Sequence, residues 1–220
     1  MRDFADLIEV LDKTTKTNEK VEALARYFER ASDKDKVWVI ALLSGRRPPR
    51  AVNATLLRQW AAEVAGIELW LFEETYHIVG DLAETIALLV SSTGHTFAEK
   101  MPSLSEILES LIPLKGLDEV QKKAFVCGYW SRFDYLSCFA FNKFFTGGFR
   151  LGVSQRLMTK ALEKDTQIEA DEIALKLMGD WDPQSVRVKS LVLAENSEAK
   201  EAKPYPFYLA YALEGAFSAL

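Results

Sequence analysis

The stretch "TGGFRLGVSQRL", residues 146–157, decides what kind of fold this sequence can make. Two adjacent glycines are followed by Arg150, Gly152 and Ser154, and then by helix formers. A glycine-rich turn that opens a helix is the signature of nucleotide-binding α/β folds, but those turns follow a β-strand. The preceding residues here, "YLSCFAFNKFF", repeat their aromatics at helical spacing. No GK[ST] triplet follows the glycines, so this is no Walker loop, and without a strand it is no dinucleotide fingerprint. The stretch therefore joins two helices. Gly147, Gly148 and Gly152 permit backbone conformations and close approaches closed to other residues. Ser154 is a good N-cap for "QRLMTKAL". The free N–H groups at that helix start, with Arg150, form an anion site suited to a nucleic-acid phosphate. A tight interhelical turn would use the same glycines without any ligand, and composition alone favours that reading.

Helical periodicity spreads outward from there. Phe4, Leu7, Ile8 and Leu11 keep the i, i+3, i+4, i+7 template, and Val21, Leu24, Ala25 and Phe28 follow in the next segment. Ser32 caps a third helix through "KVWVIALL", which ends at the glycine of "LLSGRRPPR", where Pro48 and Pro49 forbid continuation. Further helices are expected over about 52–65, 69–79 and 82–90, the last two separated by Gly80-Asp81. Ser103 or Ser105 caps a short helix ending before Pro113. Helices over about 117–129, 131–145, 154–163, 166–178 and 183–194 complete the pattern. Strand signals are poor: "RVKSLVL" follows Asp182-Pro183, a good helix start. The expected class is all-α. The stretch 91–103 is the expected boundary between two lobes, 1–92 and 103–195, of a domain covering 1–200. "AENSEAKEAKPYP" reads as a polar linker, leading into the apolar "YPFYLAYALEG".

The 220 residues carry a net charge of −5, which by itself argues against a nucleic-acid partner. The distribution says otherwise. Between Asp35 and Glu63 there is no acid, but there are Lys36, Arg46, Arg47, Arg50 and Arg58. Between Asp134 and Glu163 there is again no acid, but there are Lys143, Arg150, Arg156 and Lys160. Charge segregated in this way can produce a local positive field on an acidic protein. The basic loop "SGRRPPRAV" (44–52) could grip phosphates through Arg46, Arg47 and Arg50. The start of the helix after Gly80 and Asp81 is a second candidate phosphate contact.

Other chemistry is poorly supported. Glu74 and His77 have the i, i+3 spacing of di-iron bundles, but such sites need a second copy and His95 supplies none. Cys127 and Cys138 form no CxxC pair and fit a reducing compartment. No apolar run reaches the roughly 18–20 residues of a membrane helix, and "MRDFADLIEV" is no signal peptide. The aromatic run over 127–145 reads mostly as core, with Lys143 and Tyr135 reaching the surface.

Four stretches carry a resemblance to a known family: "MRDFADLIEVLDKTTKTNEKVEALARYF", "YHIVGDLAETIALL", "FRLGVSQRLMTKAL" and "YPFYLAYALEG". In this order and spacing the chain resembles the N-terminal DNA-binding domain of ATP-dependent DNA ligases, of the bacterial multidomain type described with DNA-damage response. The resemblance implies a two-lobed helical domain that wraps nicked duplex DNA through the minor groove and backbone. It implies roles in DNA repair, replication or recombination, a cytoplasmic, nucleoid-associated location, and a monomer. The DNA contacts it implies are the turns carrying Gly147, Gly148, Arg150, Gly152 and Ser154 and carrying Gly80, Asp81 and Ala83; the basic loop of Arg46, Arg47 and Arg50, and Lys143, complete the expected DNA-binding set. The family's adenylation motif, K-x-D-G, does not occur in this sequence. The expectation is therefore a chain that binds DNA without sealing it. ATP and magnesium are implied only for a catalytic nucleotidyltransferase domain whose start would fall within 196–220. The rival reading is a helical protein-interaction module that docks through "YPFYLAYAL".

Overall fold

The computed structural model describes residues 1–91, 101–149 and 151–193. Arg150, most of the expected boundary stretch, and the linker and apolar segment beyond 193 lie outside the described residues. Among the described residues there are helices and no strand, as an all-α sequence requires. None of these helices is long and apolar enough to cross a membrane.

Helix α1 (Arg2–Lys13) buries Phe4, Leu7, Ile8 and Leu11, the stripe set by the 3.6-residue period. α2 (Thr17–Arg30) buries Val21, Leu24, Tyr27 and Phe28, and also Lys20. In α3 (Asp33–Leu43), Ser32 caps the start by accepting from the Asp35 N–H at 3.2 Å. Every residue from Val37 to Leu42 is buried, so α3 runs through the middle of the molecule. α4 (Ala54–Ala65) begins two residues later than expected, because the Asn53 side-chain oxygen Oδ1 accepts from the Leu56 N–H at 2.8 Å and sets the cap. α5 (Leu69–Val79) and α6 (Leu82–Ser91) meet at Gly80-Asp81 as read from the sequence.

In α7 (Leu104–Leu114) the choice of cap is settled in favour of Ser103, whose hydroxyl and Glu106 form a reciprocal capping box. α7 does not stop before Pro113. The proline occupies its last turn and, having no N–H, cannot donate to the carbonyl four residues back; the helix ends one residue later, at Leu114. α8 (Glu119–Trp130) carries a second capping box from Asp118 and Gln121. α9 (Tyr135–Thr146) starts four residues later than expected, since the Asp134 carboxylate accepts from the Ser137 N–H at 2.8 Å. α10 (Gln155–Thr166) and α11 (Ala170–Leu177) follow.

The helix expected over 183–194 does not form as one. Asp182-Pro183 opens a turn, with the Val186 N–H bonded to the Asp182 carbonyl at 3.2 Å, and among the described residues only a π-turn, Lys189–Leu193, comes after it. Tertiary anchors override the helix start. Val188, Leu191 and Val192 are buried, the Val188 N–H reaches Asp33 Oδ2 at 3.3 Å, and Lys176 donates to the Val192 carbonyl at 2.8 Å.

α6 packs on α9, α1 on α9 and α2, α2 on α10, α10 on α11, and α3 on α7. The buried apolar side chains form one contiguous cluster, to which helices on both sides of the 92–100 stretch contribute. The expected lobes 1–92 and 103–195 thus share one core. The aromatic run is core as read: Tyr129, Phe133 and Phe141 pack with centroids 5.1–5.5 Å apart. Cys138 is buried, and burial pushes its thiol up to about 12; both cysteines are free.

Candidate functional site

The turn after α9 is pinned from below and open above. The Phe149 ring stands edge-on to Phe4 at 5.5 Å and to Phe144 at 5.9 Å, and Leu151 is buried. Phe149 and Leu151 thus anchor the turn to the core, while Gly147 before them and Gly152 after them are exposed. Ser154 caps α10 through the Leu157 N–H, as the sequence indicated. The first N–H groups of α10 have no intrahelical partner.

The proline-stiffened loop between α3 and α4 lies against this turn. Arg47 Nη1 donates to the Gly147 carbonyl oxygen at 2.5 Å. Its guanidinium rests on the Cα of Gly148, so closely that a Cβ there would overlap it. Arg50 comes beside it, its Nη2 3.5 Å from where a Cβ of Gly147 would sit. Two candidates a hundred residues apart in sequence are therefore one surface. Gly148 is required twice over, by its φ of +94° and by the guanidinium above it. Gly148→Ala is expected to cost about 1–2 kcal/mol of stability and to displace Arg47. A shift in urea midpoint with helical content unchanged would record it.

The second turn joins the same region. Asp81 Oδ1 accepts from the Glu84 N–H at 3.0 Å and caps α6, while Oδ2 holds the Lys143 ammonium at 2.5 Å. Lys143 lies on the last turn of α9, just before Gly147. This pair ties the Gly80-Asp81 turn to the glycine turn.

Several of the expected contacts are spent within the protein. Lys143 is paired with Asp81, and its side chain is only 15% exposed. Ala83 is fully buried in α6 and presents no surface to a ligand. Arg46 turns away from the loop: its guanidinium lies over the Trp181 ring at 4.6 Å and donates to the Gly179 carbonyl at 2.8 Å. Of the other cations in the two acid-free stretches, Lys36 pairs with Asp165 at 2.9 Å and Arg58 grips both oxygens of Glu73. Arg47, Arg50, Arg156 and Lys160 are exposed and have no described carboxylate within ion-pair distance. Arg150 lies outside the described residues. Tyr135 is partly exposed as expected, and burial, with Glu84 close by, raises its hydroxyl above the usual tyrosine value.

One residue of the site escaped the sequence reading. Lys20 of α2 donates to the Leu151 carbonyl oxygen and lies against Gly152. Its signal was present: Lys20 is in helical register with Leu24, Tyr27 and Phe28, a charge on an apolar stripe.

Comparison with known proteins bears on this surface. The family model described as "DNA ligase N terminus" matches residues 1–163, which include both turns and the arginine loop. A protein of Dictyoglomus turgidum described as a probable DNA ligase is 31% identical over 113 residues. That match covers 48% of this chain and 19% of the relative, so the chain corresponds to a small part of that protein's length.

Proposed function

The chain belongs to the DNA ligase N-terminal family, and from that premise we propose that it binds duplex DNA through the phosphate backbone, without reading sequence. The observation that carries this reading is the pair Arg47 and Arg50. Both are free of described carboxylates, and both are gathered on the Gly147-Gly148 turn beside the capped start of α10. Guanidinium groups and helix N-termini suit phosphate oxygens. Phosphate contacts fix position and carry no sequence information, which suits a protein that must act at a break anywhere.

In this reading the duplex is nicked and is approached from its minor groove. Sealing belongs to a nucleotidyltransferase domain of the same ligase, which uses ATP and magnesium. The setting is repair, replication or recombination in the bacterial cytoplasm, with the domain acting as a monomer on the nucleoid.

Fluorescence anisotropy on nicked and intact duplexes of two unrelated sequences tests the proposal. Binding should fall steeply between about 50 and 200 mM salt and be equal for the two sequences. Absence of binding at the lowest salt would reject it. That outcome would favour a protein-interaction module, for which α5 offers the exposed side chains Trp70 and Ile78.

A further inference from the structure

Lys20 is only 7% exposed, and among the described residues it is the one buried residue with a charged side chain. No described carboxylate pairs with it; its bonded partner is the backbone carbonyl oxygen of Leu151. Withdrawing an ammonium from water is unfavourable, and a single carbonyl is weak compensation. An unbranched apolar side chain would suit the α2–α10 contact better on stability grounds alone. What the ammonium does instead is hold one point of the turn. It fixes Leu151 and lies so near Gly152 that a Cβ there would come within 2.9 Å of Nζ. Gly152 takes the left-handed conformation, φ +59°, and two residues later Ser154 caps α10.

We infer that Lys20 is a positioning residue for the DNA contact: by clamping Leu151–Gly152 it sets the direction in which the backbone delivers the first N–H groups of α10 to a phosphate. This rests on the DNA-binding reading above. Lys20 acts through the backbone and is not itself a phosphate ligand. Its action therefore differs from that of Arg47 in a measurable way. Arginine that neutralises a phosphate releases a counterion, so its loss flattens the dependence of log affinity on log salt by about 0.9. Uncharged amides release none.

The experiment is salt-dependent anisotropy on a nicked duplex with the intact chain, Lys20→Met, Lys20→Gln, Gly152→Ala and Arg47→Ala, together with the melting temperature of each. Lys20→Met keeps the stem; removal of the buried charge offsets the loss of the Leu151 carbonyl's donor, so it should melt close to the parent temperature. It should nonetheless bind about fivefold more weakly at every salt concentration, with the slope unchanged. Lys20→Gln, which keeps a donor, should recover part of the loss. Gly152→Ala, whose Cβ presses on Nζ, should reproduce the parallel displacement, and combining it with Lys20→Met should add little. Arg47→Ala should flatten the slope.

Parent-like affinity for Lys20→Met while Arg47→Ala flattens the slope would overturn the inference and leave Lys20 a packing residue. A slope loss of about one in Lys20→Met would overturn it in favour of direct phosphate contact. Failure of the unmodified chain to bind would instead remove the DNA reading on which it stands.

Discussion

Replacing both Arg47 and Arg50 by alanine is expected to lower the slope of log affinity against log salt by about 1.8, or 0.9 for each lost phosphate contact. Near 50 mM salt the same relation gives a loss of about two orders of magnitude in affinity. The fold should be unaffected. Both side chains are exposed, and among the described residues the one bond lost is that from Arg47 to the Gly147 carbonyl. Anisotropy across a salt series, with unfolding followed in parallel, measures both quantities. The matched control is Arg58→Ala. Arg58 lies in the same acid-free stretch, but it grips Glu73 at 3.1 and 3.2 Å and sits over the Tyr76 ring. Its loss should change stability and leave the salt slope alone. If Arg58→Ala flattened the slope as much as the double variant, affinity would follow net charge, not the surface built on Gly147 and Gly148.

Trp130→Ala should produce the largest loss of stability, about 4 kcal/mol or more. The side chain is fully buried at the end of α8, and its indole N–H donates to Asn142 Oδ1 at 2.9 Å. Asn142 is itself fully buried on α9 and donates to Cys138 Sγ at 3.4 Å. Truncation opens a cavity and leaves the Asn142 carbonyl without its donor, and these costs add. Trp130→Phe separates them by filling most of the space while removing the N–H. It should cost about 1–3 kcal/mol, the penalty of the unsatisfied amide. Urea midpoints at constant m-value give both numbers. Equal losses in the two variants would mean that the hydrogen bond alone accounts for the effect. α9 also carries Lys143 and leads into Gly147, so Trp130→Ala should weaken DNA binding in proportion to the fraction unfolded.

The helices were legible because their determinants are local. The stripe Phe4, Leu7, Ile8, Leu11 and the caps at Ser32, Ser103 and Ser154 each act within a turn or two of chain. The misreadings are equally physical. Asp134 moved the start of α9 because a carboxylate cap outweighs continued periodicity. The segment after Pro183 gave up its helix because Val188, Leu191 and Val192 were drawn into a core that the local pattern does not reveal.

For the site, the sequence by itself determined the parts: a glycine turn before a capped helix, a second turn at Gly80-Asp81, and cations concentrated in two acid-free stretches. Only the tertiary structure decided which of those cations remain available. Arg46 is taken by Trp181 and Gly179, Lys36 by Asp165 and Lys143 by Asp81, partners between 62 and 135 positions away. Arg47 and Arg50 are left on the glycine turn, and Lys20 is drawn beneath it. Helix formation is settled between residues three or four apart, which the sequence displays directly. Charge pairing is settled at 3–4 Å between residues that only the packing of α2, α3, α6, α9 and α10 brings together.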